Sequence, residues 1–457
     1  MSRHDYRRRK NQRFLHRLSR HLPTFIVLFV LTFLLGGGLF IASRFLGHLK
    51  DSGQKDEVPA AALQSPLSES PDPGAPSGPE ADSDTESPVE DRVSQLILEA
   101  DRLAAGYDYD QAIQLIEGDQ EAASDFRGQE AIGRYQQTKA TLVEADPSQI
   151  THVFFHSLIM DTAKAFDGDA DSKGYNSVMT TKDEFLRILN ALYERDYVLV
   201  RLHDIAYEQT DENGNPGFVY GKIMLPEGKK PFVMSQDDLC YYDYMLDDGF
   251  ASRIVIGDDG KPTCEMTLED GTVSRGSYDL VPILEDFIEE HPDFSYRGAR
   301  AVLAFTGYQG ILGYRTAASY SDSPTYEEDR AQAAQVAQCL RDHGWELASH
   351  SWGHLQLGVS TEPSADGQQT FAISDERFIT DTDKWEAEVE SLIGPTDILL
   401  YPFGNDISDF HPYTMDNSRF SYLMSKGFRY FCNVDASTPY WIQKGSDHLR
   451  MARRNLD

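Results

Sequence analysis

EEDRAQAAQVAQCLRDHG (327–344) runs straight into ELASHS (346–351), and TDKWEAEVESLIG (382–394) runs into DILLYPFG (397–404). In the first member of each pair apolar residues recur every three or four positions, the spacing of one helical face; the second is a short apolar run of strand length. The same couplet recurs on both sides. HVFFHSLI (152–159), YVLVRL (197–202), FVMS (232–235), AVLAFTG (301–307) and YFCNVD (430–435) read as strands. TTKDEFLRILNALYERD (180–196), YDLVPILEDFIEEH (278–291) and NSRFSYLMSKG (417–427) read as amphipathic helices. Strands alternating with helices imply a parallel sheet. Seven such strands predict an α/β fold, a distorted (β/α) barrel over residues 150–457. The Asp- and Gly-rich stretch from Tyr241 to about Ser277 reads as an inserted β-hairpin.

Upstream the texture differs. Val93, Leu96, Ile97, Ala100, Leu103 and Ala104 repeat at helical spacing, and Ala112, Ile113, Leu115 and Ile116 resume the pattern after Gly106. This predicts a small tetratricopeptide-like helical hairpin over 90–146, a collar for the barrel, because a single repeat cannot bury both of its faces alone. Residues 44–89 are rich in Ser, Pro, Gly, Asp and Glu with few large apolar side chains, and read as a disordered acidic linker. Residues 23–43 contain no charge and are dominated by Leu, Phe, Val and Ile, enough to span a bilayer core of roughly 30 Å. The basic residues of 1–22 mark the cytoplasmic side, which predicts a single-pass membrane protein whose body is extracellular.

Charge divides the chain in the same way. Residues 1–50 hold ten Lys/Arg and one acid, and the remainder holds 32 Lys/Arg against 73 Asp/Glu. So acidic a body repels phosphate backbones, which argues against nucleic acid as a partner. Cys240, Cys264, Cys339 and Cys432 are too scattered for a disulfide scaffold and read as small buried hydrophobes.

In a (β/α) barrel the functional groups sit at the carboxyl ends of the strands. Three polar clusters fall at such ends: Asp237-Asp238 after FVMSQ, His350 and His354 bracketing HSWGH, and Pro402-Phe403-Gly404 after ILLY. An aspartate pair closing an apolar strand is costly to desolvate unless a cation or a proton compensates it. Two histidines four apart arise readily by chance, but combined with a strand-end carboxylate they form a two-His, one-carboxylate metal set with open coordination positions.

SQDD, HSWGH and YPFG, in that order and each at a strand end, resemble the motifs of the polysaccharide deacetylases of the NodB homology type, the family 4 carbohydrate esterases. The resemblance extends over about two-thirds of the chain and is closest to membrane-anchored Gram-positive members. It implies a metal-dependent hydrolase that removes N-acetyl groups from cell-envelope polysaccharide and uses one divalent metal, usually zinc. On that pattern Asp237 is the general base, Asp238, His350 and His354 are the ligands, and Ser351 orients them. The Phe403 backbone N–H stabilises the oxyanion, and His156, Tyr401, Pro402 and His448 are candidates for the substrate pocket, His448 as a possible general acid. The partners implied are an acetylated polysaccharide and, through the anchor, the membrane. The chain departs from the pattern in three places. Leu239 stands where the family has glycine after Asp-Asp, Gln236 replaces an aromatic residue, and Leu399 and Leu400 stand where an arginine usually pairs with the catalytic aspartate. These departures leave open a catalytically impaired glycan-binding barrel, and an O-acetyl esterase would share the same site.

Overall fold

A computed structural model describes residues 91–360 and 370–456. The basic tail, anchor and acidic linker expected over 1–89 lie outside the described residues. Among those residues no helix is long and apolar enough to cross a membrane.

Seven parallel strands close into a ring surrounded by helices, the (β/α) barrel that the alternating couplets imply. They are β1 (Thr151–Phe155), β2 (Lys230–Gln236), β3 (Val302–Phe305), β4 (Glu346–Ser349), β5 (Ile398–Leu400), β6 (Tyr430–Val434) and β7 (Leu449–Asn455). Each pairs with the next, and β7 returns to β1 with Arg453 opposite His152. The ring is distorted at one seam. β2 meets β3 only at Ser235 and Gln236, and its opening half pairs instead with the short strand Tyr197–Leu199.

Two details of strand membership differ from the sequence reading. YVLVRL forms that accessory strand and not a member of the ring. The seventh barrel strand is LRMARRN (449–455), whose three arginines hide the apolar alternation of Leu449 and Met451. An arginine can occupy a barrel strand when its charge is paired inside, and both Arg450 and Arg453 are fully buried and bonded to carboxylates.

Side-chain alternation sorts the strands into two layers. Val233, Val302, Ala304, Ala348, Ile398, Leu400, Tyr430, Cys432, Leu449 and Met451 form one cluster inside the ring. The intervening Met234, Leu303, Leu347, Leu399 and Phe431 pack outward against helical residues such as Leu284, Leu340, Ile393 and Leu423. The covering helices include α5 (Lys182–Glu194), α6 (Leu280–Glu290), α7 (Tyr326–Asp342), α8 (Asp375–Trp385) and α9 (Ser418–Ser425). α5 shows how sequence makes such a helix. Thr181 and Glu184 form a reciprocal capping box at its start, worth about 1 kcal/mol, and Phe185 and Leu189 are buried, Phe185 edge-on to Phe155 of β1.

The collar is larger than the hairpin expected. α1 (Arg92–Ala105) and α2 (Tyr109–Glu117) are that hairpin, joined by α3 (Gln120–Ser124) and α4 (Phe126–Lys139). α4 escapes a periodicity reading because it buries Gly128, Ala131 and Tyr135 rather than large aliphatic residues. The collar packs on segments that lead into the strands. Tyr107 stacks on Tyr296 and donates to the Asp293 carbonyl, and Arg297 N–H donates to the Gly106 carbonyl. It therefore covers the amino-terminal end of the barrel. The insertion after β2 is a three-stranded antiparallel sheet, Arg253–Ile256, Pro262–Thr267 and Val273–Gly276, rather than a hairpin. All four cysteines are buried and free.

Candidate metal centre

Alternation places the chemistry. Two residues beyond the inward Ser235 comes Asp237; two beyond the inward Ala348 comes His350; two beyond the inward Met451 comes Arg453. Asp237, His350 and Arg453 are all buried at the carboxyl end of the barrel. The turns that follow β2 and β4 then fold Asp238 and His354 over the same spot in the left-handed conformation, with φ of 58° and 50°. For side chains with a Cβ that conformation costs about 1 kcal/mol or more each, and it persists only where the surroundings enforce it.

The ligand atoms of Asp238, His350 and His354 all lie within 4.8 Å of one another. His354 Nε2 is 3.6 Å from Asp238 Oδ2. Two ligands on a tetrahedral metal, each at roughly 2.0 Å, stand about 3.3 Å apart, so the Asp238–His354 spacing is close to that of two donors on one small cation. The donors are also prepared for it. His350 Nδ1 lies 2.8 Å from the Leu400 carbonyl, which fixes Nδ1 as the protonated nitrogen and leaves the Nε2 lone pair free. Burial holds His350 below the usual imidazole range, which keeps the ring neutral. The Tyr242 hydroxyl donates to Asp238 Oδ1 at 2.7 Å, leaving Oδ2 facing His354. Two imidazoles and one carboxylate leave coordination positions for water and substrate, as in hydrolytic zinc sites.

Beside this cluster Asp237 Oδ2 is 3.7 Å from His350 Nε2. Its other oxygen accepts from Arg453 Nη1 at 2.6 Å, and the same nitrogen lies 3.3 Å from Ser235 Oγ. Burial alone would raise the Asp237 carboxyl; the Arg453 charge and its hydrogen bond outweigh it and hold the acid well below the usual carboxylate range. Asp237 is thus a buried, ionised carboxylate with one oxygen pinned and the other aimed at the cluster.

Ser351, expected to orient the ligands, leads to a residue that sequence reasoning missed. Its hydroxyl donates to Asp381 Oδ2 at 2.7 Å and accepts from Leu355 N–H at 3.0 Å. Asp381, on α8, also accepts from the backbone N–H groups of Trp352 and Gly353 at 2.9 and 2.8 Å. One carboxylate therefore anchors the whole HSWGH turn. Nothing marks Asp381 in sequence, since its helix face is defined only by what it packs on. Arg453, masked in sequence by the basic run RRN, is the residue that pairs with Asp237.

The remaining candidates divide. Phe403 stands at the rim, 62% exposed, with φ of 59° and its ring 4.4 Å from that of His354. His156 follows β1 at the same end, adjoins Phe154 and sets Nδ1 3.0 Å from the Val178 carbonyl. Pro402 is buried at the start of the Phe403 turn. Tyr401 faces the outer layer, its hydroxyl bonded to that of Tyr413, and so does not line the centre. His448 precedes β7 at the amino-terminal end, packed among Tyr413, Phe420 and Phe431. It is buried rather than an exposed tail histidine, and the structure does not bring it to the cluster.

The departures from the motif are accommodated. Leu239 is fully buried in the outer core, and the left-handed turn conformation falls on Asp238 instead. Gln236 Nε2 donates to the buried Asp279 at 3.0 Å.

No protein-family model matches the chain, and no curated protein does. Among solved structures, morphinone reductase in complex with tetrahydroNAD aligns at 13% identity and a TM-score of 0.17, over 44% of this chain and 48% of that protein's length.

Proposed function

We propose that the barrel is a metal-dependent deacetylase that hydrolyses N-acetyl groups on cell-envelope polysaccharide, held at the membrane by its amino-terminal segment. The observation that carries this reading is the convergence of Asp238, His350 and His354 beside an ionised Asp237. A divalent metal bound there, zinc by its donor set, would polarise the acetyl carbonyl and acidify a water. The protein's own residues supply the rest. Asp237 offers Oδ2 to take the proton of the attacking water, while Arg453 keeps its other oxygen from turning away. The Leu400 carbonyl and Asp381 hold the two histidines in their ligand orientation. Phe403 stands at the rim beside His354, and on this reading its backbone N–H would serve the oxyanion.

Acetate release from N-acetylglucosamine oligomers tests the reading. Zinc-loaded protein releases acetate, chelation abolishes release and zinc restores it, and Asp237→Asn lowers the rate by about 10²–10⁴-fold. Zinc-loaded protein that binds the oligomers yet releases no acetate would instead be a glycan-binding barrel. Release only from O-acetylated polymers would make it an esterase.

A further inference from the structure

Asp238, like His354, is held by a turn and not by a strand. Its backbone is left-handed, and its carboxylate has two oxygens that could exchange places. The local sequence supplies a remedy in CYYDYM (240–245). Tyr242 is buried, and its hydroxyl lies 2.7 Å from Asp238 Oδ1 and 2.6 Å from Thr306 Oγ1. A phenol has one proton, and the carboxylate can only accept. Tyr242 therefore donates to Asp238, and Thr306, just beyond β3, donates to the Tyr242 oxygen.

The ring that carries this hydroxyl is itself clamped. It stacks on Tyr308 at 5.1 Å and 14° and on Tyr244 at 5.5 Å and 16°. Tyr244 in turn stacks on Tyr175 at 6.4 Å. Four near-parallel rings leave Tyr242 little freedom to swing, and each stacked pair adds about 0.5–1.5 kcal/mol beyond area burial. The hydroxyl position is set by packing contributed from three separate segments of chain.

We infer that Tyr242 is a positioning residue for the metal centre, which binds Asp238 Oδ1 so that only Oδ2 is presented, in fixed orientation, to the cation. The inference rests on the reading of Asp238, His350 and His354 as a metal centre, but not on the reaction that the centre performs. Hydrogen bonds that orient a metal ligand commonly account for ten- to a hundredfold in affinity. Tyr242→Phe removes the hydroxyl and keeps the stacked ring.

The experiment compares full-length wild type, Tyr242→Phe, Tyr244→Phe and Thr306→Val for zinc affinity by competition with a chromophoric chelator, and for the visible spectrum of the cobalt-substituted protein. Tyr242→Phe weakens zinc binding about ten- to a hundredfold and alters the cobalt bands, Thr306→Val does so to a smaller degree, and Tyr244→Phe leaves both unchanged. The metal-free unfolding midpoint of Tyr242→Phe stays within a few degrees of wild type. A variant that binds zinc like wild type with an identical cobalt spectrum overturns the inference. So does an equal loss in Tyr244→Phe, which would make the stack structural only, or a wild type that takes up no metal. Wild type that binds zinc but releases no acetate refutes the deacetylase reading alone and leaves the positioning role to be judged by the affinity ratio.

Discussion

Removing Arg453 perturbs the centre most directly. Its guanidinium and the Asp237 carboxylate are 0% and 4% exposed, and their contact is 2.6 Å. In water such a pair would contribute little; within the barrel neither charge can be rehydrated. Deleting one partner of a buried pair strands the other and costs about 3–5 kcal/mol. Arg453→Met, which keeps an unbranched apolar stem but removes the guanidinium that lies over the Phe154 ring, is therefore expected to destabilise the metal-free protein by at least that amount. Asp237→Asn should also destabilise, because it leaves the guanidinium short of its anion. The double variant should be more stable than the sum of the two losses by about 1–3 kcal/mol, the coupling expected of contacting groups. The assay is urea denaturation of the four proteins in chelator, with equal m-values as the check that each variant unfolds from the same state. If the two losses add within about 0.5 kcal/mol, the pair is not coupled and the argument that Arg453 pins the base fails.

Asp381→Ala leaves the Ser351 hydroxyl and the Trp352 and Gly353 N–H groups without their acceptor, so zinc affinity should fall about ten- to a hundredfold; unchanged affinity would remove Asp381 from the account of the turn. Leu239→Gly, which places a glycine after Asp-Asp as in the motif it resembles, should cost about 2–5 kcal/mol by opening a core cavity and bring no gain in acetate release; faster release would show that Leu239 obstructs the site. At the opposite end of the barrel, His203 lies between Glu346 and Asp397. Burial lowers His203, but hydrogen bonds to Asp397 and Glu346 and their charges outweigh it and push the imidazole up to about 10. A raised value means stability that is complete below the unfolded value of about 6.5 and lost as pH rises toward 10. Denaturation midpoints taken across that window should decline in wild type and decline less in His203→Gln; parallel curves would exclude the histidine.

The barrel was legible because helices and strands of ordinary length carry their own periodicities, and because the covering helices need apolar faces. Ring membership was less so. Tyr197–Leu199 and Leu449–Asn455 exchange the roles that hydropathy assigns them, since a buried arginine that finds a carboxylate looks on paper like an exposed one. The candidate ligands were legible because strand ends concentrate function and Asp-Asp and His-x-x-x-His each fall at one. Asp381 was not, because it acts on a serine 30 residues away through a contact that only packing defines, and Tyr242, though only four residues from Asp238, was not because the turn between them sets where its hydroxyl goes. His448 misled for the converse reason. It sits within a plausible terminal motif, yet it precedes its strand, and a residue at the amino-terminal end of a barrel strand faces away from the chemistry.

Backbone strain and its restraints meet at one place. Asp238, Ser351, His354 and Phe403 all adopt positive φ, at 58°, 62°, 50° and 59°. Four such residues together cost several kcal/mol, more than a surface turn would sustain unaided. Asp381 binds Ser351 and the turn that carries His354, Tyr242 binds Asp238, and Arg453 holds Asp237 next to it. Each restraint comes from a different segment, so the centre assembles only when the ring has closed and β7 has docked between β6 and β1. Strand Leu449–Asn455 is thus both the last stave of the barrel and the carrier of the charge that keeps Asp237 ionised, which ties completion of the fold to readiness of the site.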